Sequence, residues 1–428
     1  MKQKKSLLLI PSQKRNEEVF VKKILITTST FPRWQGDTEP AFISDMAQAL
    51  SHYFKVFVLA PHANGASKQE TWGSVEIRRF TYMIPHRWQR LCYGGGIFAN
   101  LLKSKLNYLL IPFLFLFEAI AVIRLVKKER IDLLYANFAV PQGLVGVLVK
   151  RWIKIPVIVN VLGGDIGISN PMLRYLVRYS LKRVDHIVAL TPALREAIEQ
   201  LNLGTHDISI MPLGVNTDLF SPDHRSETIR QKYVVNGAPL LLFVGRLVEK
   251  KGVAYLINAM PDVLKKFQQA KLLIIGNGLL ANELKRLAQQ LQLSDSVYFE
   301  GDLDNKKLPQ YYASADIFIG PSIIPESGDL EGQGVVFLEA MASGCCTIGT
   351  NIGGIPMSVV HEKSGLLVEQ KNSRQISQAI IRILEDDALR ARLQRDGRQF
   401  VIENFDWRAI ANRYKELFER FIGRTDAN

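Results

Sequence analysis

Short apolar runs alternate with longer amphipathic stretches through both halves of the chain. In the first half the runs lie at 24–28, 56–60, 131–136, 157–162 and 186–190. In the second they lie at 240–245, 272–276, 297–300, 317–320 and 347–349. Near-continuous apolar strands separated by helical patterns predict β-α units, hence parallel sheets covered on both faces. Between the two series stands Met211-Pro212-Leu213-Gly214-Val215-Asn216-Thr217-Asp218-Leu219-Phe220-Ser221-Pro222. Its prolines, glycine and Asn-Thr-Asp cluster predict a turn-rich connector. No short-period repeat or low-complexity tract interrupts the pattern.

The chain has 428 residues, 47% of them hydrophobic, which is too long for one ordinary core and ample for two. The expected organisation is an α/β protein of two Rossmann-like domains. Residues 1–21 form a poorly ordered extension, 22–212 a first domain, 213–223 a linker and 224–406 a second domain. Ligands in such sheets bind at the carboxyl ends of the strands, so one cleft between the domains is expected to hold the site.

Three cysteines, Cys92, Cys345 and Cys346, cannot all pair, and two are adjacent. That usage predicts a reducing, cytoplasmic setting. The apolar "SLLLIP" near the start is too short for a secretory signal core.

The net charge of +13 is unevenly spread. Residues 77–117 contain no acid but carry Arg78, Arg79, Arg87, Arg90, Lys103 and Lys105. The stretch ends in an apolar run, 108–117, shorter than the roughly 20 residues that span a bilayer. Two readings stand side by side: a buried core helix, or an apolar wedge beside a basic patch on an anionic membrane surface. No basic helix-turn-helix or base-stacking motif accompanies the charge, which argues against nucleic acid as a partner.

The candidate chemistry lies in the second half. Gly245-Arg246-Leu247-Val248-Glu249-Lys250-Lys251-Gly252 follows an apolar strand and precedes a helical pattern, the setting of an anion site. Arg246 can fork onto a phosphate and Lys251 adds a point charge. Further on, Glu331-Gly332-Gln333-Gly334-Val335-Val336-Phe337-Leu338-Glu339 sets a carboxylate before a glycine turn and a second on the helix that follows. The turn's N–H groups, opening a helix, suit a phosphate, and Glu339 can accept from a ribose diol. Gly276-Asn277-Gly278 lacks the third glycine of a dinucleotide fingerprint, which sets a nicotinamide dehydrogenase aside.

In order along the chain, "TTSTFPRWQGDTEPAFISDMAQAL", "MPLGVNTDLFSPD", "FVGRLVEKKG", "LLIIGNG", "VYFEGDL", "ADIFIGPS", "DLEGQGVVFLEAMASG" and "GGIPMSVVHEKSGLLV" resemble the retaining glycosyltransferases of family 4, with the GT-B fold. The resemblance covers nearly the whole chain after residue 22. It implies an acceptor-binding first domain, a nucleotide-sugar-binding second domain, and a last helix, 407–428, packing back on the first. It implies that Arg246 and Lys251 hold the donor diphosphate, stabilising charge on the leaving nucleotide in place of a metal or other cofactor. Glu331 matches the acid that holds the donor sugar, and Glu339 the one that binds ribose. Gly332, Gln333, Gly334 and Val335 would offer backbone N–H groups. Gly36, in the first domain, would approach the phosphate from across the cleft.

The chain departs from the family pattern at three places. Leu162 in Val161-Leu162-Gly163-Gly164-Asp165 stands where many relatives carry a histidine, and Asn137 stands at a second histidine position. Leucine can neither donate a hydrogen bond nor move a proton, whereas Asn137 could replace one hydrogen bond to the sugar. Asp165 is read as an acceptor ligand or a helix cap. Met357 stands where many relatives have a glutamate. The implied activity is transfer of a hexosyl unit from a UDP- or GDP-sugar to a saccharide or lipid-linked acceptor. The alternative is a degenerate, non-catalytic protein that binds nucleotide sugar or acts as a scaffold.

Overall fold

A computed structural model describes residues 21–425, apart from 38, 165, 167–169, 205–206, 236 and 327–330. The first sheet contains β1 (Lys23–Thr27), β2 (Lys55–Pro61), β3 (Gln69–Trp72), β4 (Val75–Phe80), β5 (Leu133–Asn137), β6 (Val157–Val161), β7 (His186–Ala189) and β8 (Ile208–Ile210). Its order is β3-β4-β2-β1-β5-β6-β7-β8, parallel except for the β3–β4 hairpin at one edge. The second contains β9 (Leu240–Val244), β10 (Lys271–Ile275), β11 (Val297–Gly301), β12 (Ile317–Gly320), β13 (Cys346–Thr350) and β14 (Leu366–Val368). All its pairs are parallel, in the order β11-β10-β9-β12-β13-β14. Each sheet reverses its direction of growth at its centre, between β1 and β5 and between β9 and β12. Such a reversal opens a crevice at the carboxyl edge.

The apolar runs read from the sequence all became strands. Four further strands, β3, β4, β8 and β14, did not announce themselves. β4 is Val-Glu-Ile-Arg-Arg-Phe, and its charged residues find partners inside the fold. Arg79 is 5% exposed and donates to the carbonyls of Pro32 and Ser67, each at 2.9 Å, and to Glu70. Arg78 pairs with Glu76 at 2.5 Å. These two cations, expected on a basic surface, are therefore consumed within the sheet edge.

Helices cover both faces of the first sheet. On one face lie Phe42–Leu50 and the C-terminal helix Trp407–Thr425, with the Tyr135 hydroxyl donating to that of Tyr414 at 2.8 Å. Their core joins Met46, Trp407 and Phe418 to Ile24, Val56 and Tyr135. On the other face Ile111–Glu129, Leu144–Ile153 and Pro171–Leu181 contribute Leu114, Val122, Val145, Val149, Val177 and Leu181 to a second core. The apolar run 108–117 is thus divided. Leu114 is core, while Tyr108, Leu109, Phe113, Leu116 and Phe117 remain exposed.

Two chain crossings join the domains and are stitched together. Val215 N–H donates to Phe405 O at 2.8 Å, and Trp407 N–H returns to Val215 O at 3.2 Å. Thr217 donates to the Asp406 carboxylate, which Arg408 also grips at 2.7 Å. Cys92, Cys345 and Cys346 are buried free thiols.

Candidate active site

Two turns at the carboxyl edge of the second sheet carry most of the predicted site. The first leaves β9. Gly245 N–H donates to Ile275 O at 2.9 Å, and Leu247 N–H to Asn277 O at 2.8 Å. Gly276 lies so close behind this turn that a Cβ on it would fall 2.0 Å from Gly245 O. The glycines of 276–278 back the Arg246 turn, which explains a G-x-G without a dinucleotide loop. Arg246 itself is exposed and makes no side-chain hydrogen bond or ion pair among the described residues. Gly252 ends the turn at φ +63°, where a Cβ would meet Pro321 O at 1.9 Å. That close approach lets Ile323 N–H reach Lys250 O at 2.8 Å, locking the turn to the loop after β12.

Lys251 Nζ lies 2.8 Å from Glu331 Oε2, with the two side chains 16% and 11% exposed. Ser322 Oγ donates to the same oxygen at 3.5 Å. The fold therefore brings the predicted phosphate cation and the predicted sugar acid into one pair. The carbonyl of Glu331 accepts from Gly354 N–H at 3.1 Å, which fixes the backbone on the other side.

The helix Val335–Ala342 opens directly after this acid, with Gly334 at its N-cap. The first amides of a helix have no intrahelical partner and carry partial positive charge. With Arg246 unpaired beside Lys251, the edge favours an anion. The side chain of Gln333 is engaged within the protein. Its side-chain oxygen accepts from Leu213 N–H at 2.6 Å and its amide donates to Leu213 O at 2.8 Å. The side chain is spent on the interdomain linker, so only its backbone is left for a ligand.

One turn further, Glu339 Oε2 accepts from the Tyr312 hydroxyl at 2.9 Å. Burial lifts the Glu339 carboxyl to about 7, the Tyr312 bond opposes this, and the charge of Asp45 adds to the rise. Asp45 belongs to the Phe42–Leu50 helix of the first domain, so the two domains sense each other's charge here.

Gly36 lies in the loop after β1, which Arg33 and Asp37 staple at 2.6 Å. A Cβ on Gly36 would fall 3.2 Å from Lys306 Nζ of the second domain, so this loop does meet the opposite wall. Asn137 does not face the cleft. It is fully buried, its Oδ1 accepts from Asn160 Nδ2 at 3.0 Å, and its own amide points to Thr27 O at 3.4 Å. It ties β1, β5 and β6 together rather than offering a donor to a sugar. Leu162 is half-buried and Met357 likewise. Asp165 lies outside the described residues. Among the described residues no three His, Cys, Asp or Glu side chains are grouped to hold a metal ion.

Sequence reasoning missed Tyr312, Ser322, Lys306 and Asp45. Each is a common residue type whose relevance comes only from what the fold sets against it.

Residues 225–400 match the family described as glycosyl transferases group 1, and residues 41–219 match glycosyltransferase family 4. A GDP-mannose-dependent monoacylated alpha-(1-6)-phosphatidylinositol monomannoside mannosyltransferase of Corynebacterium glutamicum is 30% identical over 305 residues, covering 70% of this chain and 79% of that one. The chain belongs to the family 4 glycosyltransferases. A GDP-mannose-dependent alpha-(1-6)-phosphatidylinositol monomannoside mannosyltransferase of Mycolicibacterium smegmatis is 29% identical over 407 residues, 94% of this glycosyltransferase and 99% of its relative. Among solved structures, sucrose-phosphate synthase from Thermosynechococcus elongatus superposes with a TM-score of 0.72 at 21% identity, over 94% of this chain and 100% of that one. Anabaena HepE in complex with UDP gives 0.69 at 20% identity, over 93% and 100%. These likenesses show the GT-B fold of the glycosyltransferase.

Proposed function

We propose that this glycosyltransferase moves a hexosyl unit from a UDP- or GDP-sugar to a lipid-linked saccharide or polysaccharide acceptor, with retention at the anomeric carbon. The observation that carries the reading is the Lys251–Glu331 pair at 2.8 Å, which joins the turn that carries the exposed Arg246 to the loop that opens the Val335–Ala342 helix. An incoming diphosphate would draw on Arg246, Lys251 and the helix amides. Lys251 would then be shared between phosphate and Glu331, aligning the acid for the sugar hydroxyls. Arg246 and Lys251 would hold the charge that grows on the leaving nucleotide as the glycosidic bond breaks, without a metal. Glu339 would accept from the ribose. Same-face attack by the acceptor needs no protein nucleophile.

The GDP-mannose-dependent relatives, whose acceptors are phosphatidylinositol mannosides, support a lipid-borne acceptor and make GDP-sugars the first donors to try. The buried free thiols are compatible with a cytoplasmic setting. A binding-only protein is the second reading, favoured by Asn137 being internal and Leu162 being apolar at the two places where relatives carry histidine. Nucleotide release from a panel of UDP- and GDP-sugars separates the two. The enzyme reading expects slow donor hydrolysis even without acceptor, lost in Arg246→Ala. Tight nucleotide-sugar binding with no release from any donor would leave the binding-only reading.

A further inference from the structure

The loop after β1 holds a tryptophan in the open. Trp34 is 45% exposed, and its indole N–H donates to no group among the described residues. The ring nevertheless has a fixed seat. The Arg33 guanidinium carbon lies 4.5 Å from its centroid, a cation–π contact. Asp37 locks Arg33 in turn, accepting from its backbone N–H and from Nε, each at 2.8 Å, and from a terminal nitrogen at 2.6 Å. The flanks of the loop are pinned as well. Arg79 donates to Pro32 O and to Ser67 O, each at 2.9 Å, which draws the loops after β1 and β2 together. Gly94 N–H donates to Glu39 Oε1 at 2.9 Å. A Cβ on Gly65, in the loop after β2, would fall 4.0 Å from indole Cζ3, so the residue at that corner of the ring offers no side chain. Two residues beyond Trp34, Gly36 meets Lys306 of the second domain, with a Cβ there 3.2 Å from Nζ. The indole therefore stands at the carboxyl edge of the first sheet, on the rim of the cleft.

We infer that Trp34 is a stacking platform for a pyranose ring of the acceptor, a contact that rests on the proposed transfer to a saccharide. The surroundings select the occupant. One face of a pyranose is a patch of C–H bonds, and its rim is made of hydroxyls. The flat indole matches the face. Its neighbours match the rim, since Gln35, Asn64, Ser67 and Lys68 are all polar and exposed. An acyl chain would need a run of apolar neighbours, which these two loops lack. The donor nucleotide is assigned to the opposite wall, at Arg246, Lys251 and Glu339, which leaves this ring to the acceptor. A ring already held in place loses little freedom on binding, and that favours a small rigid ligand. Trp34 takes no part in bond making. It selects and orients the sugar that presents the attacking hydroxyl.

The test is saturation-transfer NMR on the full chain with methyl α-D-mannopyranoside and methyl β-D-glucopyranoside, irradiating the aromatic protons of the protein. At least one pyranoside is expected to receive signal, strongest at the C–H protons of one ring face. Trp34→Ala should weaken that binding about tenfold, the loss of one aromatic anchor. Trp34→Phe keeps a ring and should retain most of the binding. Trp152→Ala, the same change at an exposed tryptophan on the Leu144–Ile153 helix, should bind as the parent does. Urea midpoints close to the parent's would show that the variants fold. Silence from both pyranosides overturns the inference, as does undiminished binding by Trp34→Ala. Equal loss in Trp34→Phe also overturns it, since the contact then belongs to the indole N–H. Displacement of the pyranosides by saturating UDP or GDP gives the ring to the donor and overturns it likewise. Donor hydrolysis by the parent is measured separately. A failed platform with hydrolysis intact leaves the transferase reading standing; Trp34-dependent pyranoside binding without hydrolysis of any donor does the reverse.

Discussion

The side chain of Gln333 clasps both backbone groups of Leu213, accepting from its N–H at 2.6 Å and donating to its carbonyl at 2.8 Å. The glycine turn that would hold the donor is thereby tied to the first residues of the interdomain linker.

Gln333→Ala is expected to act mainly on stability. It removes two hydrogen bonds and leaves the Leu213 groups without their partner, a loss of about 1–3 kcal/mol. Urea unfolding should show the lower midpoint, with a smaller effect on nucleotide affinity. Parent-like unfolding with abolished nucleotide binding would mean that the side chain faces ligand after all.

How much of this was readable beforehand depended on the physics of each element. The central strands are continuous apolar runs because both faces of their sheets are covered, and such runs stand out. β4 hid because Arg78 and Arg79 are charged yet satisfied by Glu76, Glu70 and two carbonyls, partners that only folding brings near. The Arg246 turn and the Glu331 loop were legible as separate motifs. Their meeting through Lys251, and the role of Ser322 beneath it, were not, since 80 residues separate Lys251 from Glu331. Asn137 reads from its position as a sugar contact, yet its burial between Thr27 and Asn160 shows that a polar residue beside a site can instead hold its frame.

The Lys251–Glu331 pair should behave as a unit. Removing either partner leaves a mostly buried charge without its counterion, so Lys251→Met and Glu331→Gln should each destabilise the fold. The double variant should lose less than the sum, with a coupling of about 0.5–3 kcal/mol by chemical denaturation. In turnover the two should differ. Lys251→Met should weaken nucleotide binding tenfold or more, while Glu331→Gln should lower kcat more than it weakens binding of free UDP or GDP. Strict additivity in stability would deny the pair.

If Glu339 accepts from the ribose as proposed, nucleotide binding is expected to depend on pH. Its carboxyl is raised to about 7, chiefly by burial, so below neutrality it is largely protonated and is a poorer acceptor for ribose hydroxyls. The affinity for free UDP or GDP should improve severalfold between pH 6 and pH 8 and then level off. Glu339→Gln should bind more weakly at pH 8 and show a flatter profile. Calorimetric titration at several pH values would read this, and an unchanged slope in the variant would assign the dependence elsewhere.

Glu118 sets a second pH dependence, this time in stability. It is wholly buried in the Ile111–Glu129 helix, with only the Gln142 amide, at 3.4 Å, donating to Oε2 and no partner for Oε1. Burial lifts its carboxyl from 4.5 to about 8, the Gln142 bond pulling weakly the other way. Between those values the folded chain binds a proton that the unfolded chain has released. Stability is therefore greatest on the acid side of this window and falls as pH rises through it, by up to about 1.4 kcal/mol per pH unit from this one group. Asp45 and Glu339, also raised, slope the same way, so the informative quantity is the difference between parent and variant. Glu118→Gln keeps the shape, removes the proton and offers an amide to the unpartnered Gln142 Oε1. It should match the parent near pH 5 and exceed it progressively up to pH 8 in urea unfolding. A variant that runs parallel to the parent across that range would show that Glu118 keeps its charge, and that water reaches it within the helix layer.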